Sequence, residues 1–467
     1  MKYLSTRGKV SGLSFEEAVM MGLADDGGLL LPETIPQIGD QLESWRTKSF
    51  AELSHAIISL FVDGEIPDAE LRELVNRSYA GFDHAEVTPT VKFTDEQFPG
   101  GLGVLELFHG PTFAFKDVAL QFLGNLFEHF LKKRGQKLTV LGATSGDTGS
   151  AAIYGLRGKE NVEVFILHPS GRVSPVQERQ MTSVLDANIH NVAIRGTFDD
   201  AQAIVKELMG DLDYKHEMQL GAVNSINWAR VLAQIVYYFH SYFSMTSKAG
   251  EQVSFSVPTG NFGDILAGWF AKSMGLPVKH LVVATNQNDI LHRFFDRGEY
   301  HAADVVPSCS PSMDIQISSN FERYLFYLCG KNSETLSAWM KDLKKTGNIT
   351  LKGDLLASAQ TEMVSARASE EETIGCIAAF HKQHGYVLDP HTAIGVHAAK
   401  KWAGAEPMIC LATAHPAKFA GAVNKAIGAD PQMPPALAAL DDCETRCVLL
   451  DGNADAIQGF MRKTLGK

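Results

Sequence analysis

Several features that would mark other classes of protein are scarce or missing from this 467-residue sequence. Six cysteines are far too few for a disulfide-stabilised scaffold. Only Cys443 and Cys447 lie close together, and no second Cys/His pair completes a metal site. No uncharged apolar run approaches the roughly 18 to 20 residues that span a bilayer, and the amino terminus lacks the apolar segment of a secretory signal. We therefore expect free thiols, no membrane span and a cytoplasmic location.

Positive charge is also in deficit. The chain carries 42 Lys and Arg residues against 54 Asp and Glu residues, a net charge of -12, which disfavours nucleic acid as a partner. Its composition, 45% apolar and 21% charged, is that of a globular protein, and its length exceeds one ordinary core. The expected partner is a small molecule, and an anionic one would need a local positive pocket.

Short β-rich runs alternate with helical segments over much of the chain. Strands are predicted at residues 138–142, 162–167, 189–195, 253–257, 280–284, 408–412 and 447–450, with segments of helical length between most of them. This alternation predicts right-handed βαβ units. We expect an α/β fold with two open, twisted, mostly parallel sheets flanked by helices, together with an amino-terminal region and a helical insertion.

The domain boundaries predicted from the sequence are soft, because we find no internal repeat and no low-complexity linker. An amino-terminal mixed region is assigned to residues 1–95, a smaller α/β lobe to residues 96–225 and a larger α/β lobe to residues 226–467. The stretch at residues 332–384, rich in Glu, Lys and Ser, is expected to be a helical insertion in the larger lobe. In open α/β sheets the site is expected at the carboxyl ends of the strands.

Lys116 stands at the beginning of a helical pattern in which apolar residues recur at spacings of three and four from Val118 to Leu131. A lysine in the first turn opposes the helix macrodipole. Burial lowers the pKa of a lysine and makes a neutral amine available for a Schiff base. The alternative is a solvated lysine whose stem covers a neighbour, which is the usual state of lysines.

Three turns between strands and helices carry groups that suit an anion or a cofactor ring. The turn at residues 258–264 (PTGNFGD) offers backbone N–H groups at a helix amino terminus, which can cradle a phosphate without a basic side chain. The turn at residues 142–150 lacks the lysine of a Walker loop and better suits a substrate carboxylate and a ring edge. In the third turn, Thr413 can hydrogen-bond a neutral pyridine nitrogen, and His415 could act as a base.

Each of these turns also has an ordinary structural explanation. The glycines at positions 260 and 263 can serve only the dihedral angles of a tight turn, the polar residues of the second turn can cap a helix, and His415 can be a structural histidine beside Pro416. Their combination points to a phosphate-bearing aldehyde cofactor. Such a cofactor needs an amine, a phosphate cup, a donor at the ring edge and a partner for the ring nitrogen.

The sequence resembles the threonine synthase family of fold type II pyridoxal-phosphate enzymes, whose fold is like that of the tryptophan synthase β subunit. No single motif is decisive, but their common order along most of the chain is specific. The motifs are STRG at 5–8, DDGGLLLP at 25–32, ELFHGPT at 106–112, KD at 116–117, GATSGDTG at 142–149, NSINWAR at 224–230, GNFGD at 260–264, SNFER at 319–323, DPHTA at 389–393 and LATAHPAKF at 411–419.

The resemblance implies that pyridoxal 5'-phosphate is the cofactor and that Lys116 forms its internal aldimine. It implies that Thr413 lies beside the ring nitrogen. Asp147 is assigned to the ring hydroxyl, where the wider fold type often has asparagine; a carboxylate there would repel a phenolate unless the two share a proton. The phosphate cup is assigned to Gly260, Asn261, Phe262, Gly263 and Asp264.

The implied reaction converts O-phospho-L-homoserine and water to L-threonine and phosphate, the last step of threonine biosynthesis, in a monomer or homodimer. Lys116 is the expected shuttle base at Cα and Cβ. The substrate phosphate needs donors, of which arginine is the usual one, and Arg323 is the preferred candidate. The full set of candidates, each of which could instead be an ordinary surface or ion-pairing residue, is Ser145, Thr148, Arg230, Asn320, Arg323 and Lys418.

Two alternatives stay open at this point. A phospho-lyase of the same fold would give 2-oxobutanoate, ammonia and phosphate from the same substrate, and product analysis would separate the two. A non-catalytic protein that binds a phosphorylated metabolite would be colourless. A visible cofactor band that disappears on borohydride treatment, with the label on Lys116, would exclude it.

Overall fold

The computed structural model describes the whole chain, residues 1–467. The strands are β1 (Tyr3–Ser5), β2 (Leu30–Pro32), β3 (Thr90–Phe93), β4 (Leu102–Glu106), β5 (Leu138–Ala143), β6 (Val162–Pro169), β7 (Ile189–Arg195), β8 (Leu220–Gly221), β9 (Val253–Pro258), β10 (Val278–Thr285), β11 (Glu299–His301), β12 (Asn348–Thr350), β13 (Val364–Arg367), β14 (Met408–Ala412) and β15 (Val448–Asp451).

The α-helices are α1 (Phe15–Met21), α2 (Gln41–Trp45), α3 (Phe50–Val62), α4 (Asp68–Tyr79), α5 (Lys116–Arg134), α6 (Asp147–Leu156), α7 (Pro175–Thr182), α8 (Phe198–Gly210), α9 (Leu212–Met218), α10 (Trp228–Met245), α11 (Gly263–Ser273), α12 (Ile290–Arg297), α13 (Phe321–Leu328), α14 (Ser333–Thr346), α15 (Asp354–Glu362), α16 (Glu370–His384), α17 (Pro390–Lys400), α18 (Ala420–Ile427), α19 (Pro435–Ala438) and α20 (Ala454–Leu465). Three short 3-10 helices cover Pro311–Met313, Pro416–Phe419 and Ala439–Asp442. None of the helices has the length and apolar character needed to cross a bilayer.

The chain divides into two compact units. The larger unit contains residues 1–76, 82–109 and 225–431, and the smaller unit contains residues 77–81, 110–224 and 432–467. Each unit is built on its own sheet, and the chain passes from one unit to the other five times.

The larger unit holds a six-stranded sheet in the order β13-β10-β9-β14-β4-β3. All neighbouring strands are parallel except β3, which runs antiparallel to β4 at the edge. Every residue of β9 and β14 is buried, as expected for central strands of a parallel sheet that is covered on both faces. The core on one face joins Leu102 and Val282 of the strands to Ala393 and Ile394 of α17.

The smaller unit holds a five-stranded parallel sheet in the order β15-β7-β6-β5-β8. A core of strand residues such as Phe165 is covered by α8 and α20, which contribute Ile204 and Ile457. Elsewhere in this unit, Gly124 of α5 and Gly155 of α6 lie so close that a Cβ on Gly124 would collide with the carbonyl oxygen of Gly155. These two glycines let the backbones of α5 and α6 touch, which fixes the position of α5.

The predicted fold class is confirmed, but the domain boundaries differ from the predicted ones. Residues 96–109 belong to the larger unit because β4 lies inside the six-stranded sheet. Residues 432–467 belong to the smaller unit because β15 pairs with β7 and α20 completes the core over it. Residues 1–95 do not form a region of their own, since all of them except 77–81 belong to the larger unit.

The stretch at residues 332–384 is not purely helical, which corrects the expected helical insertion. It contains α14, α15 and α16, but also β12, which pairs with β11, and β13, which is an edge strand of the large sheet. Edge strands of three or four residues carry too few positions to show a clear alternation of apolar and polar residues. All six cysteines are free thiols, and Cys443 and Cys447 lie outside the helices.

Candidate active site

Lys116 is the first residue of α5 and is not a solvated surface lysine. Its side chain is 11% exposed, and its Nζ atom lies 3.7 Å from Oδ2 of Asp147. The start of α5 is fixed by Asp117, whose two carboxylate oxygens accept the backbone N–H and the hydroxyl of Thr112 at 2.8 and 2.7 Å. The helix therefore presents Lys116 from a rigid first turn, as the sequence pattern predicts.

The turn before α6 is held together by a threonine that sequence reasoning did not single out. Oγ1 of the buried Thr144 accepts the backbone N–H groups of Gly146 and Gly149 at 3.0 and 2.9 Å. Asp147, the first residue of α6, is buried, and its Oδ1 accepts a hydrogen bond of 2.7 Å from Gln177. The predicted residues Ser145, Asp147 and Thr148 thus lie on one turn, with Asp147 as the counter-ion of the Lys116 ammonium.

The phosphate cup predicted in the larger unit is a tight turn between β9 and α11. Phe262 has a left-handed φ of 65° directly before the helix, a conformation that costs free energy in a residue with a side chain. Its buried ring packs on Phe321, with ring centroids 5.0 Å apart, and this contact offsets the cost. A Cβ on Gly260 would lie 2.7 Å from the carbonyl oxygen of Ser312. The turn therefore brings tightly packed backbone to a helix amino terminus, an arrangement in which backbone N–H groups can bind a phosphate.

Behind the cup, Asp264 is tied to the neighbouring helix α10 by two tyrosines. The hydroxyl groups of Tyr237 and Tyr238 donate to its Oδ1 at 2.6 and 2.9 Å, and Tyr238 also donates to its carbonyl oxygen at 3.0 Å. Burial, together with the charge of Asp264, raises the pKa of both tyrosines well above the usual value, so both stay protonated donors. These contacts fix the first turn of α11.

Thr413 follows β14, and β14 lies beside β9 in the large sheet. Thr413 is buried and lies at the same edge of the sheet as the cup, since parallel neighbours end at the same edge. His415 takes the structural role that was open from the sequence: its Nδ1 accepts the backbone N–H of Ala417 at 3.2 Å at the start of a 3-10 helix. Burial lowers the pKa of His415 to about 4, which leaves it neutral and a weak base at neutral pH.

Arg323, the preferred candidate from the sequence for binding the substrate phosphate, makes hydrogen bonds within the protein through every nitrogen atom of its guanidinium group. It is 0% exposed, and its Nε and Nη2 atoms donate to the carbonyl oxygen of Leu30 at 3.1 and 2.9 Å. Nη2 also donates to the carbonyl oxygen of Ile226 at 2.6 Å, and Nη1 donates to Oδ1 of Asn320. A guanidinium group with all three nitrogen atoms occupied is a structural brace rather than an anion site.

Arg230 presents the opposite situation in the first turn of α10. It is 4% exposed, and its Nε and Nη1 atoms have no hydrogen-bond acceptor within the chain. Burial lowers its pKa to about 10, so the group is still charged at neutral pH. A buried donor without an acceptor costs free energy, so its presence calls for a functional explanation. Arg230 is four residues before Gln234 and seven before Tyr237, on the helix face that meets Asp264.

The other candidates of the larger unit lie on two segments. Asn320 is buried and donates to the carbonyl oxygens of Ser225 and Asn261, at 3.2 Å in each case. Lys418 is buried in the 3-10 helix after His415. Ser319 was not among the predicted site residues. Its hydroxyl lies 2.8 Å from the hydroxyl of Ser225 and donates to Oδ1 of Asn261 at 3.1 Å.

The tyrosines behind the cup could have been found from the sequence. They lie within a long apolar helix, and a buried tyrosine hydroxyl usually has a hydrogen-bond partner. The groups of each unit fit a part of pyridoxal phosphate. The smaller unit offers a shielded primary amine. The larger unit offers a turn at a helix amino terminus, in which a Cβ on Gly260 would not fit, and a buried hydroxyl at the same sheet edge.

Comparisons with known proteins agree with this chemistry. The family model described as "Pyridoxal-phosphate dependent enzyme" matches residues 83–338, and those described as "Threonine synthase N terminus" and "Threonine synthase, C-terminal" match residues 2–79 and 392–461. The threonine synthase of Pseudomonas aeruginosa is 48% identical over 465 residues, which cover 99% of this chain and 98% of that protein. This chain belongs to the threonine synthase family.

Further relatives support the same assignment. The threonine synthase of Schizosaccharomyces pombe is 52% identical over 464 residues, covering 91% of this chain and 89% of that protein. A crystal structure of threonine synthase from Brucella melitensis with bound pyridoxal phosphate is 46% identical, with a TM-score of 0.96 over 99% of both chains. The predictions of a threonine synthase family fold and of pyridoxal phosphate as the cofactor are confirmed.

Proposed function

We propose that this chain converts O-phospho-L-homoserine and water to L-threonine and phosphate, and that Lys116 is the residue bonded to the cofactor. Membership of the threonine synthase family along the whole chain supports the reaction. The observation that carries the residue assignment is the shielded Lys116 amine at the start of α5, 3.7 Å from the buried carboxylate of Asp147.

Several residues would hold pyridoxal phosphate. The turn at residues 260–264 would bind its phosphate, Lys116 its aldehyde carbon, and the Thr413 hydroxyl would hydrogen-bond its ring nitrogen without protonating it. When bound, the cofactor supplies an electron sink that stabilises negative charge at the substrate Cα. Asp147 is our candidate for the ring hydroxyl, where its position beside Lys116 lets a proton be shared.

Lys116 would also move protons during the reaction. When substrate occupies the site, its Nζ would be free to take the proton from Cα and then to act at Cβ. The neighbouring Asp147 carboxylate stabilises the ammonium form that results from the first proton transfer. Elimination of phosphate from Cγ, return of a proton to Cγ and addition of water at Cβ complete the conversion to threonine.

The substrate phosphate is proposed to bind Arg230. The structure favours Arg230 over Arg323 because two of its guanidinium nitrogens have no acceptor in the chain, whereas all three nitrogens of Arg323 are occupied. A dianionic phosphate would satisfy this buried cation. Further hydrogen bonds are assigned to Ser145, Thr148 and Lys418. Asn320, also a candidate from the sequence, instead holds the turn, because its amide group already donates to the carbonyl oxygens of Ser225 and Asn261.

The remaining expectations concern partners and location. We propose a monomer or homodimer that acts on a small molecule and has no nucleic-acid partner, which the net charge of -12 supports. A cytoplasmic location is supported by six free thiols, because a reducing compartment keeps cysteines unpaired.

The decisive experiment combines the colour of the protein with its products. The purified protein should show a visible absorption band that borohydride removes, and peptide mapping should place the reduced label on Lys116. Lys116→Ala should lose both band and activity, while Lys132→Ala, in the exposed last turn of the same helix, should keep both. Label on another residue would refute the role of Lys116. Formation of 2-oxobutanoate and ammonia instead of threonine would identify the phospho-lyase.

A further inference from the structure

The amino-terminal segment reaches into the turn that carries the substrate-side candidates. Its two strands, β1 and β2, pair antiparallel with Ser5 opposite Leu30, and they lie outside the part of the chain matched as a pyridoxal-phosphate dependent enzyme, residues 83–338. Directly after β1, Arg7 forms a two-pronged ion pair with Glu322: Nε donates to Oε1 at 3.0 Å and Nη2 to Oε2 at 2.9 Å. The hydroxyl of Thr6 adds a third hydrogen bond to Oε1 at 2.7 Å.

The residue that follows Glu322 is held by the other strand. Arg323 donates two hydrogen bonds to the carbonyl oxygen of Leu30 in β2. Two adjacent residues of α13 are therefore bound to the same small sheet. Thr6 and Arg7 bind the carboxylate of Glu322, and the carbonyl oxygen of Leu30 binds the guanidinium group of Arg323.

Hydrogen bonds connect the first turn of α13 to the cup and to the segment before Arg230. In the residues just before α13, the hydroxyl of Ser318 donates to the carbonyl oxygen of Gly260 at 2.6 Å. Asn320 donates to the carbonyl oxygens of Asn261 and Ser225. A rotation of the first turn of α13 would thus move the cup and the segment that leads into Arg230.

The ion pair is well suited to hold this turn. The Glu322 side chain is 7% exposed and that of Arg7 is 30% exposed, so the pair is weakly screened and has a fixed geometry. The hydrogen bonds to Glu322 raise the pKa of Arg7. The side chain of Arg7 packs directly against Gly28. A larger residue would not fit at position 28, because its Cβ would lie 2.6 Å from Cγ of Arg7.

We propose that Arg7 and Glu322 are a positioning pair through which the amino-terminal segment sets the substrate-phosphate side of the active site. This inference rests on the proposed function, since it assumes that Arg230 binds the substrate phosphate. Arg7 touches neither substrate nor cofactor in this assignment and acts through Glu322 on the turn before α13. Its loss should therefore weaken substrate binding more than it slows the chemical steps.

The test compares two arginines with the same hydrogen-bond geometry. Arg462 makes an equivalent two-pronged pair with Glu217 at 3.0 and 2.8 Å on the surface of the smaller unit. In holoenzyme, Arg7→Gln should raise KM for O-phospho-L-homoserine about tenfold with kcat changed less than about twofold, because a charge-assisted hydrogen bond is lost. Arg7→Lys, which keeps the charge but loses the fork, should fall between Arg7→Gln and wild type, and Arg462→Gln should match wild type.

The outcomes separate this inference from the proposed function. An inactive wild-type protein would contradict the proposed function. An active wild type with equal KM in Arg7→Gln and Arg462→Gln would overturn the inference, as would a fall in kcat, cofactor content and melting temperature that leaves KM unchanged. If Arg7→Gln does not fold, Arg7→Lys decides: an unchanged KM overturns the positioning role, and a raised KM at full cofactor content supports it.

Discussion

The hydroxyl of Tyr237 donates a hydrogen bond of 2.6 Å to Oδ1 of Asp264, and Tyr238 donates to the same oxygen. The cup for the cofactor phosphate is thus fixed from behind, by α10, as well as by its own turn. The tyrosine ring of Tyr238 comes close because the facing residue is Gly268, on which a Cβ would lie 2.6 Å from that ring.

Removal of both hydroxyls should weaken cofactor binding. The double variant Tyr237→Phe/Tyr238→Phe is expected to lower the affinity of the apoprotein for pyridoxal phosphate about tenfold or more, because hydrogen bonds to a charged group are worth roughly 1.5–3 kcal/mol. Tyr242→Phe is the control: its hydroxyl donates to the carbonyl oxygen of Lys248 near the other end of the same helix. Titration followed by visible absorbance measures the effect, and equal affinities of both variants would argue against the fixing role.

The two buried arginines should respond in opposite ways to removal of their charge. Arg323→Met leaves the carbonyl oxygens of Leu30 and Ile226 without their donor, so we expect a loss of about 2–4 kcal/mol in the free energy of unfolding. Arg230→Met removes an unpaired buried cation and should be neutral or stabilising, while KM for O-phospho-L-homoserine rises steeply. Urea unfolding measures the change in stability of each variant, and steady-state kinetics measures its KM. A strongly destabilised Arg230→Met with normal KM would contradict the assignment.

A histidine between two carboxylates should make stability depend on pH. Nδ1 of His109 lies 2.7 Å from Asp83 and Nε2 lies 2.8 Å from Glu106, while Tyr386 donates to the other oxygen of Glu106 and His84 packs on the ring. Burial alone would lower the pKa of His109, but the hydrogen bonds to Glu106 and Asp83 outweigh it and raise the pKa. Burial would raise the pKa of Glu106, but its bonds with His109 and Tyr386 lower it.

These two pKa shifts make the stability depend on pH in opposite directions. The contribution of His109 is fully present below its unfolded pKa and is lost as the pH rises through its raised folded pKa. The contribution of Glu106 is present above its unfolded pKa and is lost as the pH falls through its lowered folded pKa. The destabilisation by His109→Gln should therefore be largest near about pH 6 and shrink at alkaline pH. Melting temperatures across pH test this. The control is His190→Gln, because the ring of His190 meets a single carboxylate, that of Glu163, and otherwise stacks on Phe165. A pH-independent difference would rule out the charged form.

A methyl group at the cup should be enough to disturb it. In Gly260→Ala the new Cβ would lie 2.7 Å from the carbonyl oxygen of Ser312, and such overpacking costs about 1–3 kcal/mol. We expect weaker binding of pyridoxal phosphate, measured by equilibrium titration. Gly421→Ala, in α18 with open space around the added Cβ, should keep the affinity and gain about 0.5–1 kcal/mol of stability. Equal affinities of both variants for pyridoxal phosphate would mean that the turn accommodates a methyl group at position 260.

Local patterns in the sequence predicted most of the fold and the elements that carry the site. The period of apolar residues after Lys116 predicted the start of α5, and the alternation of strands and helices predicted both sheets. These properties depend on residues a few positions apart, so a single sequence contains them.

The choice between the two arginines could not be predicted in this way. Arg230 and Arg323 both stand in motifs with polar neighbours. What distinguishes them is that carbonyl oxygens 293 and 97 residues away, those of Leu30 and Ile226, occupy the guanidinium group of Arg323. The same holds for the domain boundaries, since β15 pairs with β7 across more than half of the chain.

The return of residues 432–467 to the smaller unit also has a consequence for protein synthesis. The sheet behind Lys116 lacks its edge strand β15 and its covering helix α20 until the ribosome has translated the whole of the larger unit. While residues 225–431 are being synthesised, Phe165 and Ile204 of the smaller unit lack the cover that α20 provides. A premature stop codon near residue 432 would accordingly damage the core of the unit that carries Lys116, although the lysine lies more than 300 residues upstream.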